Sequence, residues 1–146
     1  MASTAEEVGI LVKRVQHRHH RALTAALAEL GVSLVQWDTL RHLHRRPDAS
    51  LHDLAQLTYQ TDQSFGTLAA RMADRGLIER VPGPGRAVRH RLTPRGEQLR
   101  AAGEERVLAV VAQSFAGLGE DDLDRLAGLL RQVLEQPLSL AGAPPL

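Results

Sequence analysis

Apolar residues recur along this chain at three- and four-residue spacing, in runs interrupted by caps, glycines and prolines, so the pattern is one of successive amphipathic helices. From residue 6 to 30, Val8, Leu11, Val12, Val15, Ala22, Leu23, Ala26, Leu27 and Leu30 mark one side of a long helix, and Gly31 stops it. Ser33 caps a second helix over roughly 33–46, with Trp37, Leu40 and His44 on one side and Leu43 beside them, and Pro47 ends it. Ser50 caps a third, of about two turns, with Leu51, Leu54 and Leu57 as its stripe and Asp53 in its first turn. Thr61 caps a fourth, in which Phe65, Leu68, Ala69 and Met72 fall at i, i+3, i+4 and i+7, and Gly76 is its C′ residue.

The period then changes. Leu77–Val81 and Arg86–Leu92 read as extended runs on either side of Pro82-Gly83-Pro84-Gly85, a hairpin signal. Thr93, with Pro94 at the first helical position, opens a long helix to about Phe115, in which Gly103 either weakens the helix or permits close approach of a neighbour. A last helix, about 120–136, has Leu123, Leu126, Leu130 and Val133 as its seam and Glu120, Asp121 and Asp122 at its positive end. Pro137 stops it, and 137–146 is expected to be a disordered tail. The predicted fold class is mainly α with a small β-wing. A winged helix-turn-helix spans 33–93, and helices over 6–32 and 94–136 form a dimerisation domain.

The face of the fourth helix opposite its apolar stripe carries Gln63, Ser64, Gly66, Thr67, Ala70 and Arg71, small or hydrogen-bonding residues with no Glu among them. A solvated face normally carries charges of both signs. A face that enters a major groove needs short polar groups that reach base edges, plus Arg or Gln for bidentate contact. Gln63, Ser64, Thr67 and Arg71 are therefore the candidate readers. Arg86 and Arg89, with His90 and Arg91, make the hairpin basic, which suits minor-groove or phosphate contact. Ser50, Thr61 and the amides of their helix starts are candidate phosphate holders.

Leu54-Ala55, the run Met72-Ala73-Asp74-Arg75-Gly76-Leu77-Ile78-Glu79-Arg80, the run Leu92-Thr93-Pro94-Arg95-Gly96, and Val35-Gln36-Trp37 upstream together resemble the MarR family of bacterial transcriptional regulators. The likeness spans roughly 8–136. The resemblance implies a dimer on palindromic DNA, commonly released by a small phenolic or lipophilic ligand. The sequence departs from the family pattern twice. Tyr59 stands where the family usually has Gly between the two helices of the motif, so it either avoids a positive φ or accepts its strain. Pro84-Gly85-Arg86 replaces the family's Asp-Arg-Arg, so the wing Arg lacks its carboxylate partner.

Composition narrows the picture further. With no cysteine among 146 residues, disulfides, Cys-based zinc sites and thiol redox sensing are excluded. The N-terminal residues are polar and acidic, no signal peptide or membrane span is expected, and the cytoplasm is the expected location. The net charge of +1 is unevenly spread, with 0 over 1–40, +5 over 41–100 and −4 over 101–146. Positive potential thus gathers on the winged-helix segment.

Seven histidines are many, yet none lies in a His-Glu-x-x-His signature, and no metal site or cofactor is expected. His17, His20 and His42 are expected to be solvated, and His19 and His44 half-buried at helix contacts. Trp37, the single tryptophan, is either a core anchor or a wall of a small-molecule pocket. Candidate pocket residues are His19, His20, Trp37 and His44, for a small aromatic or lipophilic effector. No catalytic constellation is present, since the serines lack a nucleophile-elbow context and no phosphate-cradling loop occurs. The expected partners are double-stranded DNA and a second copy of the chain. The expected function is a homodimeric, sequence-specific transcriptional regulator, with repression the favoured direction. The alternative is a winged helix used for metal sensing or protein contact.

Overall fold

In the computed structural model the described residues are 2–83, 85 and 87–138, so Arg86 and all but the first two positions of the expected tail lie outside them. Six helices and one hairpin follow in order: α1 (Ala5–Ala28), α2 (Leu34–Arg45), α3 (Leu51–Leu57), α4 (Asp62–Asp74), β1 (Ile78–Pro82), β2 (Val88–Leu92), α5 (Pro94–Ser114) and α6 (Glu120–Glu135). The mainly α architecture with a small wing is the one expected. The chain divides into two compact units, 1–111 and 112–146.

Caps set the helix starts. Ser33 Oγ accepts from the Gln36 N–H while the Gln36 side chain accepts from the Ser33 N–H, a reciprocal capping box. Ser50 and Asp53 form the same box with bonds of 3.0 and 2.9 Å, Asp taking the place of the usual Glu. Thr61 Oγ1 accepts from Ser64 N–H, and Thr93 Oγ1 from Gly96 N–H. Left-handed residues set three of the ends, Gly31 after α1, Tyr59 after α3 and Gly76 after α4. At the end of α4, Gly76 has φ 71°, with Leu77 N–H reaching Met72 O and Gly76 N–H reaching Ala73 O. That is the Schellman pattern, which satisfies the last free carbonyls.

The hairpin is antiparallel, and its register pairs Ile78 with Leu92, Arg80 with His90 and Pro82 with Val88. Ser50 adds a single bridge to Arg89, tying the start of α3 to the return strand. The reader has its own core of Leu40, Leu43, Ala49, Leu54, Ala55, Phe65, Ala69, Met72, Leu77 and Ile78. A second cluster, Leu27, Val32 and Trp37 with Leu99 and Val107 against it, joins α1, α2 and α5. Gly103 permits a close approach, because a Cβ there would stand 2.3 Å from the Trp37 ring. In the first unit, Val8, Leu11, Val12 and Val15 form an outward apolar stripe along α1, each about half exposed. In the second, Leu130, Val133 and Leu134 of α6 are likewise exposed.

Candidate nucleic-acid interface and ligand cleft

The apolar stripe of α4 is buried through Phe65, Ala69 and Met72, which turns the opposite face outward. Gln63, Ser64, Thr67, Ala70 and Arg71 are all exposed on it. Thr67 Oγ1 bonds back to Gln63 O at 3.3 Å, and the Arg71 guanidinium meets no carboxylate of a described residue. Of the two capping residues at the starts of α3 and α4, Thr61 is exposed and Ser50 half-buried. Each uses its hydroxyl oxygen as an acceptor for the cap, and the Ser50 side chain is also hydrogen-bonded to the Asp53 carboxyl. A hydrogen bond from the Ser50 backbone N–H and one from its side chain, with the Arg46 and Arg89 charges, hold the Asp53 carboxyl below its usual range, so Asp53 is ionised within the cap.

On the wing, Arg89 is half-buried beside the Ser50 bridge, and Arg91 is tied across the strands to Glu79. His90 corrects the expectation of a uniformly basic return strand. It is 4% exposed, its Nδ1 has no hydrogen-bond partner, and burial, with the Arg80 charge, pushes its pKa below the ordinary histidine value. The two-residue period held the signal, since Val88, His90 and Leu92 share the face opposite Arg89 and Arg91. Arg86, the proposed wing-tip contact, lies outside the described residues.

Arg75 and Gly96 give the motifs quoted from the sequence a structural job. The Arg75 guanidinium donates to Gly31 O at 2.7 Å and to Gln36 Oε1 at 3.2 Å, pinning the end of α4 to the α1–α2 junction. Gly96 lies so close to Leu77 that a Cβ would come within 1.9 Å of the Leu77 carbonyl oxygen. These residues fix where the end of α4 and the start of α5 lie.

Behind the reader, α1, α2, the α3–α4 turn and α5 enclose an open cleft of about 860 Å³. Leu23, Leu34, Val35, Trp37, Val107 and Leu108 give it an apolar floor; His20, Asp38, Arg41, Arg45, Tyr59 and Glu104 supply its polar edge. Trp37 is the core anchor expected and also borders the cleft. It is 5% exposed in the core, its Nε1 donates to Arg100 O at 3.0 Å, and its ring also faces the cleft. The Arg41 guanidinium lies 5.8 Å from the Trp37 ring centroid, within cation–π range.

The acids of the cleft are already engaged. Asp38 accepts from Arg41 at 2.6 Å, and Glu104 accepts from the largely buried Arg100 at 2.9 Å. Hydrogen bonds that Arg100 donates to Glu97 and Glu104 raise its pKa, and it stays charged. Arg45 has no such carboxylate among the described residues, so the uncompensated charge of the cleft is positive.

Of the four candidate pocket residues, His20 and Trp37 line this cleft, whereas His19 and His44 do not. His19 is half-buried on α1. His44 is exposed rather than half-buried, because it lies at the end of α2 and its Nδ1 meets Glu97 at 3.1 Å. His42, expected in solvent, is half-buried 3.4 Å from Asp38, and burial lowers its pKa despite that carboxylate. Arg41, Arg45, Tyr59 and Glu104 went unrecognised as lining residues, since their convergence depends on how three helices and a turn pack. No group of three or more His, Asp or Glu among the described residues is placed to hold a metal ion. No helix among them is long and apolar enough to cross a membrane.

Residues 30–87 match the family model for the MarR family. The chain is 32% identical over 113 residues to the HTH-type transcriptional repressor Rv2887 of Mycobacterium tuberculosis, a match covering 76% of this chain and 81% of that protein. The crystal structure of Rv2887 with p-aminosalicylic acid superposes with a TM-score of 0.71 at 29% identity, covering 86% of this chain and 96% of the other. The Rv2887 complex with DNA gives 0.72 at 26% identity, covering 90% and 98%.

Proposed function

Because the chain belongs to the MarR family of transcriptional regulators, we propose that it is a homodimeric repressor that reads a pseudo-palindromic operator and is modulated by a small aromatic or lipophilic ligand held behind the reader. The observation that carries this reading is the outward face of α4, where Gln63, Ser64, Thr67 and Arg71 stand exposed on a helix anchored at both ends. Those four side chains contact base edges; Ser50 and Thr61 donate to phosphates; Arg86 and Arg89 on the wing contact the minor groove or its phosphates. The protein works by binding, in the cytoplasm, and not by catalysis.

A two-fold dimer sets the paired reading helices about one DNA turn, ~34 Å, apart. The exposed stripes on α1 and α6 support a second copy as partner. The ligand reading is supported by the apolar floor, the tryptophan and the spare positive charge of the cleft, which suit a flat aromatic acid. In the neighbouring structures Rv2887 is bound to p-aminosalicylic acid in one case and to DNA in another.

The test is selection of bound duplexes from a random pool, followed by binding across a salt series. Recovery of an inverted repeat, with affinity falling steeply as salt rises, is the expected outcome. Sequence-blind binding at every salt concentration would remove the operator reading. Arg71→Ala weakens binding most at particular base pairs, by about 1–3 kcal/mol. Arg86→Ala weakens it on all sequences and reduces the salt slope by about one. Equal losses on every sequence for both variants would contradict this division.

A further inference from the structure

Tyr59 occupies the turn between α3 and α4 with φ 57°, and among the described residues it is the one non-glycine residue with a positive φ. The turn requires that conformation. Gln60 N–H reaches back to Ala55 O at 2.8 Å and Tyr59 N–H to Gln56 O at 3.2 Å, so Tyr59 is the left-handed residue of a Schellman turn ending α3. Such a position favours glycine or asparagine, and residues held in strain of this kind cluster at ligand clamps and switch regions. In the free chain the ring packs against almost nothing, for it is 95% exposed. It does line the cleft, whose edge it forms along with Trp37, His20, Arg41 and Arg45. Two residues later Thr61 caps the reading helix.

We propose that Tyr59 is the residue through which an aromatic acid in the cleft acts on the reading helix. The ligand is held by the apolar floor and the cationic edge, and its ring gains a second aromatic partner in Tyr59. Engagement of that side chain biases a turn already held in an unfavourable backbone conformation and directly joined to the N-cap of α4. A ligand shifts such an equilibrium only by its differential contact with the two states, and Tyr59 supplies the contact on the reader's side. This inference rests on the reading of the cleft as an effector site, and the experiment separates the two.

Salicylate serves as the probe, with a duplex selected by the wild-type protein. The measured quantity is the ratio of operator Kd with saturating salicylate to operator Kd without it, for wild type, Tyr59→Gly, Tyr59→Asn and Tyr59→Phe. Gly and Asn both accept the left-handed backbone, so both variants fold. The ratio is expected to fall three- to tenfold toward unity in Tyr59→Gly and Tyr59→Asn, and to stay at the wild-type value in Tyr59→Phe. By reciprocity, the difference in salicylate affinity between free and operator-bound protein shrinks by the same factor. A wild-type ratio in Tyr59→Gly and Tyr59→Asn at saturation overturns the role of Tyr59 and leaves the cleft as effector site intact. If wild type binds its operator but takes up no salicylate, by calorimetry, at concentrations up to the millimolar range, the effector reading fails and the proposal with it.

Discussion

A tyrosine held in the left-handed region costs about 1 kcal/mol relative to a residue that tolerates it, and Tyr59 has no packing in the free chain to offset this. Tyr59→Asn is therefore expected to raise unfolding stability by about 0.5–1 kcal/mol in urea titration, and an unchanged midpoint would show that the turn is not strained. Gly96 works in the opposite sense. Its missing Cβ is what lets α5 start against the Leu77 carbonyl, so Gly96→Ala forces the backbone apart and costs about 2 kcal/mol or more in the same titration. His90 makes stability depend on pH. Burial holds its folded pKa below the unfolded value of about 6.5, so the unfolded ring takes up a proton that the folded one refuses. Its contribution is full above about pH 6.5 and is lost as the pH falls through the folded value. His42, also lowered, adds with the same sign. The Tm is expected to drop between about pH 7.5 and 5.5, and to drop less in His90→Gln; an equal slope in that variant would place the effect elsewhere.

At the scale of elements, α3 is too short to stand by propensity and depends on its caps, seven residues closed by the Ser50–Asp53 box at one end and the Tyr59 turn at the other. Ser50→Ala removes one side of the box and is expected to cost about 1 kcal/mol, read as a lowered unfolding midpoint, while Ser50→Gly costs less. The elements themselves were legible because caps, stripes and stops agree: Ser33, Ser50, Thr61 and Thr93 each cap the helix that the spacing assigns to them. The outward face of α4 was legible for the same reason, as the complement of the buried Phe65–Ala69–Met72 stripe. The cleft was not. Its edge brings residue 20 to residues 38, 59 and 104, and no local period encodes that convergence. His90 lay between the two cases, for the strand period placed it inward, but its company of arginines suggested the surface.

For the whole molecule, the question is what covers the apolar faces left outside. Val8, Leu11, Val12 and Val15 follow one another at helical spacing along α1, each roughly half exposed, and a contiguous stripe of this kind is uncommon on a monomer. A second copy meets that need and also supplies the second reading helix. Leu11→Glu together with Val15→Glu is expected to shift sedimentation toward the monomer and to weaken operator binding at least tenfold, since one half-site alone cannot hold the register. A double variant that stays dimeric would move the interface elsewhere. The charge distribution fits the same arrangement, with its surplus of arginine over 41–100 on the reading segment and its acidic excess over 101–146.

Trp37 carries a practical consequence. It is the sole indole of the chain, it is shielded from solvent, its N–H is held by a backbone carbonyl, and a cation rests near its ring. Excitation at the red edge of protein absorbance therefore addresses one chromophore, and that chromophore forms part of the wall of the cleft. Entry of a flat acid would alter its quenching and emission maximum, so the unlabelled protein contains its own optical gauge of occupancy, and a plate-reader titration could screen aromatic metabolites in an afternoon before any DNA is added.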